Sequence, residues 1–284
     1  MSVHGIYAII YREIMAGKAN LPTMPDVCLR IRHAMQRDDY DVYSIAKIIQ
    51  VDPAVSAYLI RMANSPLYRS FSPTQTVSSA IGKVGIGMAR DSVMVYSLRH
   101  MLKSDHPHIQ ELYSKVWNMS SKVAAISAVL AKKCKGISVE KAMLAGLFQD
   151  IGKLPLIQQI EKRVDRIDDL TQADQIIRDY SSSVGIKLLE SWDFDEDFIS
   201  VVRYLDSWER THDNKLDITD VVTIARAHAY LGTPLMKGCP IIPNIPAFKK
   251  FPESTLTPEN SLSLLEESKE EIDELHRMLM GGLA

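Results

Sequence analysis

Apolar positions recur three and four residues apart along most of the chain, the spacing that gathers one face of an α-helix, and each run is cut where helix ends belong. Asp41 is placed to cap a helix running to Ile49. Asp52-Pro53 is the strongest start signal: the carboxylate accepts orphan amide hydrogens, and Pro53 sits where no donor is needed. The helix it opens carries Val55, Leu59 and Met62 on one face. It stops at Asn64-Ser65-Pro66, because a residue before proline is pushed out of the helical region. Further helices are predicted over 77–84, 88–103, 109–134 and 139–150, the last capped by Ser138, then over 160–170, 172–180, 182–191, 196–208 and 218–231. Strand signals are nearly absent, so the expected fold class is all-α, a multi-helix bundle.

Two stretches depart from this period. The glycines of Gly82-Lys83-Val84-Gly85-Ile86-Gly87 let two helices turn sharply; with no preceding strand and no Lys-Ser/Thr ending, they make neither a phosphate loop nor a dinucleotide fingerprint. Pro234, Pro240, Pro243, Pro246, Pro252 and Pro258 lie too densely for a helix and predict an extended loop over 232–258. Thr257-Pro258 then starts a last amphipathic helix, with Leu262, Leu265, Ile272, Leu275 and Leu279 among many acids and Gly281-Gly282 as its stop. The expected organisation is an N-terminal helix in 1–19, a central domain over 20–212, and a helical extension over 213–284 that contains the proline-rich loop.

Composition narrows the function classes. Hydrophobic residues make up 46% and charged residues 24%, the balance of an ordinary folded protein, and a formal charge of -2 gives no support to a broad basic surface for nucleic acid. Cys28, Cys134 and Cys239 are odd in number, far apart and outside any Cys-x-x-Cys pair, which argues against a disulfide framework or a zinc knuckle. The first residues lack a basic leader, Tyr11, Arg12 and Glu13 break the first apolar run, and no segment is apolar for long enough to cross a bilayer. A cytoplasmic protein without a membrane partner is expected.

Six landmarks follow one another in order. They are Leu21-Pro22-Thr23-Met24-Pro25, Asp52-Pro53-Ala54-Val55-Ser56, Arg61-Met62-Ala63-Asn64-Ser65, Ala80-Ile81-Gly82-Lys83-Val84-Gly85, Val116-Trp117 before a helix of small residues, and Ala145-Gly146-Leu147-Phe148-Gln149-Asp150-Ile151-Gly152-Lys153-Leu154. Each alone is weak. Together, over most of the chain up to His212, they make it resemble the HDOD family, relatives of HD-type metal phosphohydrolases that lack the metal site. The resemblance implies an all-helical fold and a stand-alone role in bacterial signalling.

Catalytic HD-type hydrolases carry adjacent His and Asp residues at a helix end, within a ligand set that holds a divalent ion firmly enough to acidify a bound water. Here the pair reads Gln149-Asp150, and a neutral amide is a poor replacement for imidazole on a transition metal. By the same resemblance the other ligand positions fall at about Met119, Ser181, Leu205 and Asp206, with no histidine among them. The helical pattern reads Met119 independently. Leu112, Val116, Met119, Val123, Ile126 and Leu130 form one apolar stripe, which points Met119 into packing. Asp150 falls near a helix C-terminus, where the macrodipole disfavours an anion, and Lys153 is placed to offset that cost. Its expected role is structural. No catalytic residue, metal or cofactor is expected.

The remaining candidates carry less. His106-Pro107-His108 falls in a turn between helices, where two residues rarely hold a metal. His228 is expected packed and hydrogen-bonded; His33, His100 and His276 have no partner at a ligand spacing, and His4 and His212 suggest no chemistry. Asp165, Asp168 and Asp169 read as a solvated helix face, and 193–197 as a capped turn. Lys132, Lys133 and Lys135 could lower the thiol pKa of Cys134, although no nearby His supports a catalytic role.

The expected function is a non-catalytic signal-transduction or regulatory module that binds a protein partner or a small regulatory ligand. Docking candidates are the proline-rich loop and the acidic C-terminal helix, which could equally pack back onto its own domain. The rival reading is a divergent metal-dependent phosphodiesterase or nucleotide hydrolase using Asp150 with carboxylates such as Asp206. A third keeps the degenerate pocket as a nucleotide sensor without turnover.

Overall fold

The computed structural model of the chain describes residues 3–17, 22–37, 39–68, 72–163, 173–211, 215–252, 256–257 and 260–280. Among them the regular elements are all helical. In chain order they are α1 (Val3–Met15), α2 (Asp26–Met35), α3 (Val42–Ile49), α4 (Pro53–Ala63), α5 (Val77–Val84), α6 (Ile86–Met101) and α7 (Pro107–Lys132). There follow α8 (Val139–Phe148), α9 (Lys153–Glu161), α10 (Ala173–Ser191), α11 (Glu196–Arg203), α12 (Ile218–Tyr230), α13 (Ser261–Glu267) and α14 (Lys269–Leu279).

Short polar side chains set the starts. Asp41 takes the amide of Ser44 at 2.7 Å while the Ser44 hydroxyl takes the amide of Asp41, a reciprocal cap that launches α3. Asp52 accepts from the amides of Ala54 and Val55 at 2.8 and 3.2 Å and launches α4, and Ser138 accepts from the Lys141 amide to launch α8.

The residues divide into two compact units, one formed by Met1–Pro22 with Ser104–Ile272 and the other by Thr23–Lys103 with Asp273–Ala284. In the second unit α4 packs on α5 and α6, α3 on α5, and α2 on α3 and α6. Cys28, Ile31, Ile45, Ile49, Leu59, Met62 and Ile81 fill its core. Gly85 alone of the three expected glycines makes the turn between α5 and α6, with φ of 87° that a side chain would strain; Gly82 and Gly87 lie within those helices. The Asn64 amide clamps the loop after α4. It donates to the Thr74 carbonyl at 2.8 Å and accepts from the Thr74 amide at 2.7 Å.

In the first unit α7 is the central element, packed on α8, α9 and α12, and α10 packs on α1, α9 and α11. The α7–α8 approach is close because small residues line it: a Cβ on Gly146 would stand 2.8 Å from the Ser127 hydroxyl and 3.0 Å from the Ala124 Cα. The stretch predicted as an extended loop instead folds into short 3-10 turns, Pro234–Gly238, Ile242–Asn244 and Pro246–Lys250, each opened by a proline in its first turn. A buried ionic cluster ties the last of them to α12. Asp220, 1% exposed, takes Arg210 at 3.0 Å and Lys250 at 3.0 Å, and Arg210 also reaches Asp217 at 2.6 Å. Burial lifts the Asp220 carboxyl above its ordinary pKa, although Lys250 acts against the lift.

Several predicted boundaries move. Helix α9 replaces the helix predicted at 160–170, of which 164–170 lie outside the described residues, as do Asp165, Asp168 and Asp169. The break predicted between 180 and 182 does not occur: the Ser181 hydroxyl donates back to Arg178 O and that of Ser182 to Val202 O, so both serines stay helical. Helix α11 ends at Arg203, five residues early, and the C-terminal helix is interrupted at Ser268, giving α13 and α14. Leu275 and Leu279 of α14 are buried, whereas Leu262 of α13 is 61% exposed, so only the first part of the predicted leucine face is open. Pro258, Gly281 and Gly282 lie outside the described residues.

Candidate functional site

Helix α8 ends at Phe148, and Gln149-Asp150-Ile151-Gly152 turns the chain into α9, with the Ile151 amide on Phe148 O at 2.9 Å and the Lys153 amide on Asp150 O at 3.0 Å. The turn lies flat on α10. A Cβ on Gly152 would fall 1.9 Å from Ser181 O and 2.4 Å from the Gly185 amide nitrogen, so only glycine allows this approach. Asp150 is thereby brought beside α10, 2% exposed, between the negative end of α8 and the positive end of α9. Its electrostatic position is thus milder than a helix C-terminus alone implies. The Lys153 ammonium stands 2.8 Å from Asp150 Oδ1, in an ion pair whose angle falls outside hydrogen-bond geometry.

The second cation comes from α12. Arg226 is 6% exposed; its Nε donates to the Tyr230 hydroxyl at 2.6 Å, Nη1 to Leu205 O, and Nη2 to Asp206 Oδ1 at 3.1 Å. Its guanidinium also lies 5.4 Å from the Trp208 ring centre and 5.1 Å from that of Tyr230. Burial opposes the charge, but Tyr230, Asp150 and Asp206 outweigh it and hold the Arg226 pKa above its ordinary value.

These groups line a cleft of about 790 Å³ within one unit. Of the six positions read from the sequence, Met119, Asp150, Ser181, Leu205 and Asp206 line it. Gln149 does not. It is wholly buried, and neither atom of its amide has a hydrogen-bond partner. Met119 departs from expectation: with Leu112 and Val116 it is half-buried and forms a cleft wall, and only the later part of the stripe, Val123, Ile126 and Leu130, enters the core. Sequence reasoning missed Arg226, Trp208 and Tyr230. The available signal was Ala225-Arg226-Ala227, a full charge in an apolar helix.

Other candidates resolve simply. Cys134 is buried and donates to Leu130 O at 3.3 Å; burial pushes its thiol up to about 11, overriding the neighbouring lysines. His106 and Pro107 open α7, with the His106 and His108 rings 5.9 Å apart. His228 is buried with Nδ1 2.9 Å from Ile224 O, so Nδ1 carries the proton and donates. Burial lowers its pKa, although the Ile224 contact acts the other way. Below about pH 6.5 the unfolded chain binds a proton there that the folded chain resists, so stability falls with acid, by at most about 1.4 kcal/mol per pH unit. Unfolding titrations from pH 7.5 to 5, numbers set by that ordinary histidine range, should show a shallower acid limb in His228→Gln; identical slopes would contradict a buried neutral ring.

The helical architecture, with Asp150 at the α8–α9 turn facing α10, defines an HD-like all-helical fold. The chain belongs to the HDOD family, whose domain profile matches residues 21–207. A solved protein of Shewanella amazonensis SB2B, provisionally named a metal-dependent phosphohydrolase, is 22% identical with a TM-score of 0.81 and 99% of each chain covered. An HDOD domain protein with unknown function from Geobacter sulfurreducens is 21% identical, TM-score 0.65, covering 98% of each chain. A protein of Marinobacter aquaeolei VT8, provisionally named a signal transduction protein, is 17% identical, TM-score 0.63, covering 98% of this chain and 66% of that one. At these identities the likeness concerns the fold. An uncharacterized protein of Treponema pallidum is 21% identical over 195 residues, 65% of this chain, which spans 37% of the length of that relative.

The fold family implies a divalent metal beside Asp150, and the residues present do not fit one. A thioether, a hydroxyl and an isobutyl group stand at Met119, Ser181 and Leu205, Lys153 is paired with Asp150, and Arg226 is bonded to Asp206. Among the described residues no three His, Cys, Asp or Glu side chains come together in a metal-holding group. Nor, among them, is any helix long and apolar enough to cross a membrane.

Proposed function

We propose that this HDOD protein is a non-catalytic regulatory module of the cytoplasm, which passes on a signal by binding a partner protein or a small ligand. One observation carries the reading: Lys153 and Arg226 neutralise the carboxylates of Asp150 and Asp206 with fixed side-chain charge, where an HD-type hydrolase would use a metal ion. A metal would have to displace both cations to reach its oxygen ligands, with no imidazole to hold it. For a protein partner, the proline-rich segment is the favoured surface over the C-terminal helix, since Leu235, Met236 and Ile241 stand 41%, 51% and 72% exposed within it.

Protein purified without metal-affinity steps is expected to carry no stoichiometric iron, manganese or zinc by elemental analysis. It should leave cyclic dinucleotides and a generic phosphodiester intact when those metals are added. Bound metal together with turnover that disappears in Asp150→Ala would replace this reading with the divergent phosphodiesterase.

A further inference from the structure

We infer that the cleft takes a small organic phosphate bearing a planar ring, held by protonated side chains without a metal ion; this rests on the non-catalytic reading above. The charge on the walls is the first ground. Lys115, Lys153, Arg178, Arg226 and Lys237 line the cleft against the carboxylates Asp150, Asp174 and Asp206, and with Glu111 paired to Lys115 at 2.8 Å a small excess of positive charge remains to draw anions. Arg226 engages three of its N–H donors with Tyr230, Leu205 and Asp206, and a guanidinium has five. Two therefore remain among the described contacts, one on each terminal nitrogen, as donors for phosphate oxygens. Lys237 is exposed in the turn at the cleft, and no ion pair engages it among the described residues.

The second ground is shape and apolar lining. Trp208, half-buried, and Tyr230 both line the cleft, packed edge to face on each other with ring centres 6.2 Å apart at 73°, and give its wall an aromatic surface for a flat group. Leu112, Val116, Met119 and Ile157 supply an apolar wall. A volume of about 790 Å³ falls among small-molecule sites and is too large for a bare inorganic ion. Charge without the rings would suit any anion; the rings without the charge would suit any flat apolar compound. Together they select a molecule with both parts.

Adenosine monophosphate is the probe, with adenosine and inorganic phosphate as its separated halves. Calorimetric titration of the full chain in EDTA is expected to show saturable one-site binding of the monophosphate, with each half at least about tenfold weaker. Lys237→Glu and Trp208→Ala, on the partly exposed walls, should each weaken it about tenfold while far-ultraviolet circular dichroism stays unchanged. Arg226→Met is unsuitable alone, since it strips a buried charge from its partners. Absence of saturation at millimolar probe overturns the inference, as does wild-type affinity in both variants or binding that EDTA abolishes. Recovery of adenosine from the bound monophosphate would leave this assignment standing and remove the non-catalytic reading. Intact probe with no binding would do the reverse.

Discussion

Gly152→Ala is expected to cost about 4 kcal/mol or more, a large share of the stability of any single domain. The added methyl would meet Ser181 O at 1.9 Å, the Gly185 amide nitrogen at 2.4 Å and the Gly185 Cα at 2.8 Å. All three are backbone atoms, so no rotamer change relieves the overlap, and α9 must separate from α10. That separation would also carry Asp150 and Lys153 away from Ser181, opening the cleft at its base. Gly85→Ala is the control. It strains a positive φ but meets no atom within 4 Å, and should cost about 1–3 kcal/mol. Urea unfolding of both variants measures the contrast. A Gly152→Ala protein as stable as Gly85→Ala would mean that the turn does not lie on α10 as described.

The second large effect is expected at Asp220→Ala. Arg210 and Lys250, 7% and 9% exposed, share this carboxylate, and its removal strands the Lys250 ammonium while Arg210 keeps Asp217. Breaking a buried ionic cluster by deleting one partner costs about 3–5 kcal/mol, mostly as uncompensated charge. Adding Lys250→Met to Asp220→Ala should therefore recover part of the loss, and a double-mutant cycle measures the coupling. If the double variant is no more stable than Asp220→Ala, stranded charge is not the cause.

Helix starts were legible because a start is a local event. Asp41, Asp52 and Ser138 act on amides two or three residues ahead, and α3, α4 and α8 begin where those residues place them. Helix α9 was not legible. The predicted helices leave a gap from 150 to 160, whereas Pro155 sits in the first turn of α9, where it needs no donor, and Gly152 serves contact with α10. The serines at 181 and 182 looked like a boundary for a related reason: a serine whose hydroxyl bonds back into its own helix, as Ser181 does, or across to a neighbouring one, as Ser182 does on α11, cannot be told by sequence from one that ends a helix.

The sequence by itself determined the all-helical class, most helix starts and the HDOD landmarks, the Gln149-Asp150 pair among them, since each depends on residue type and short spacing. Only the tertiary structure decided that Met119 faces a cleft, that Leu275 and Leu279 are covered, and that Arg226 reaches Leu205 and Asp206 from α12. The physical reason is distance along the chain. Capping and periodicity act within a turn or two, whereas the pairing of Asp206 with Arg226 spans 20 residues and exists only once α11 and α12 have packed.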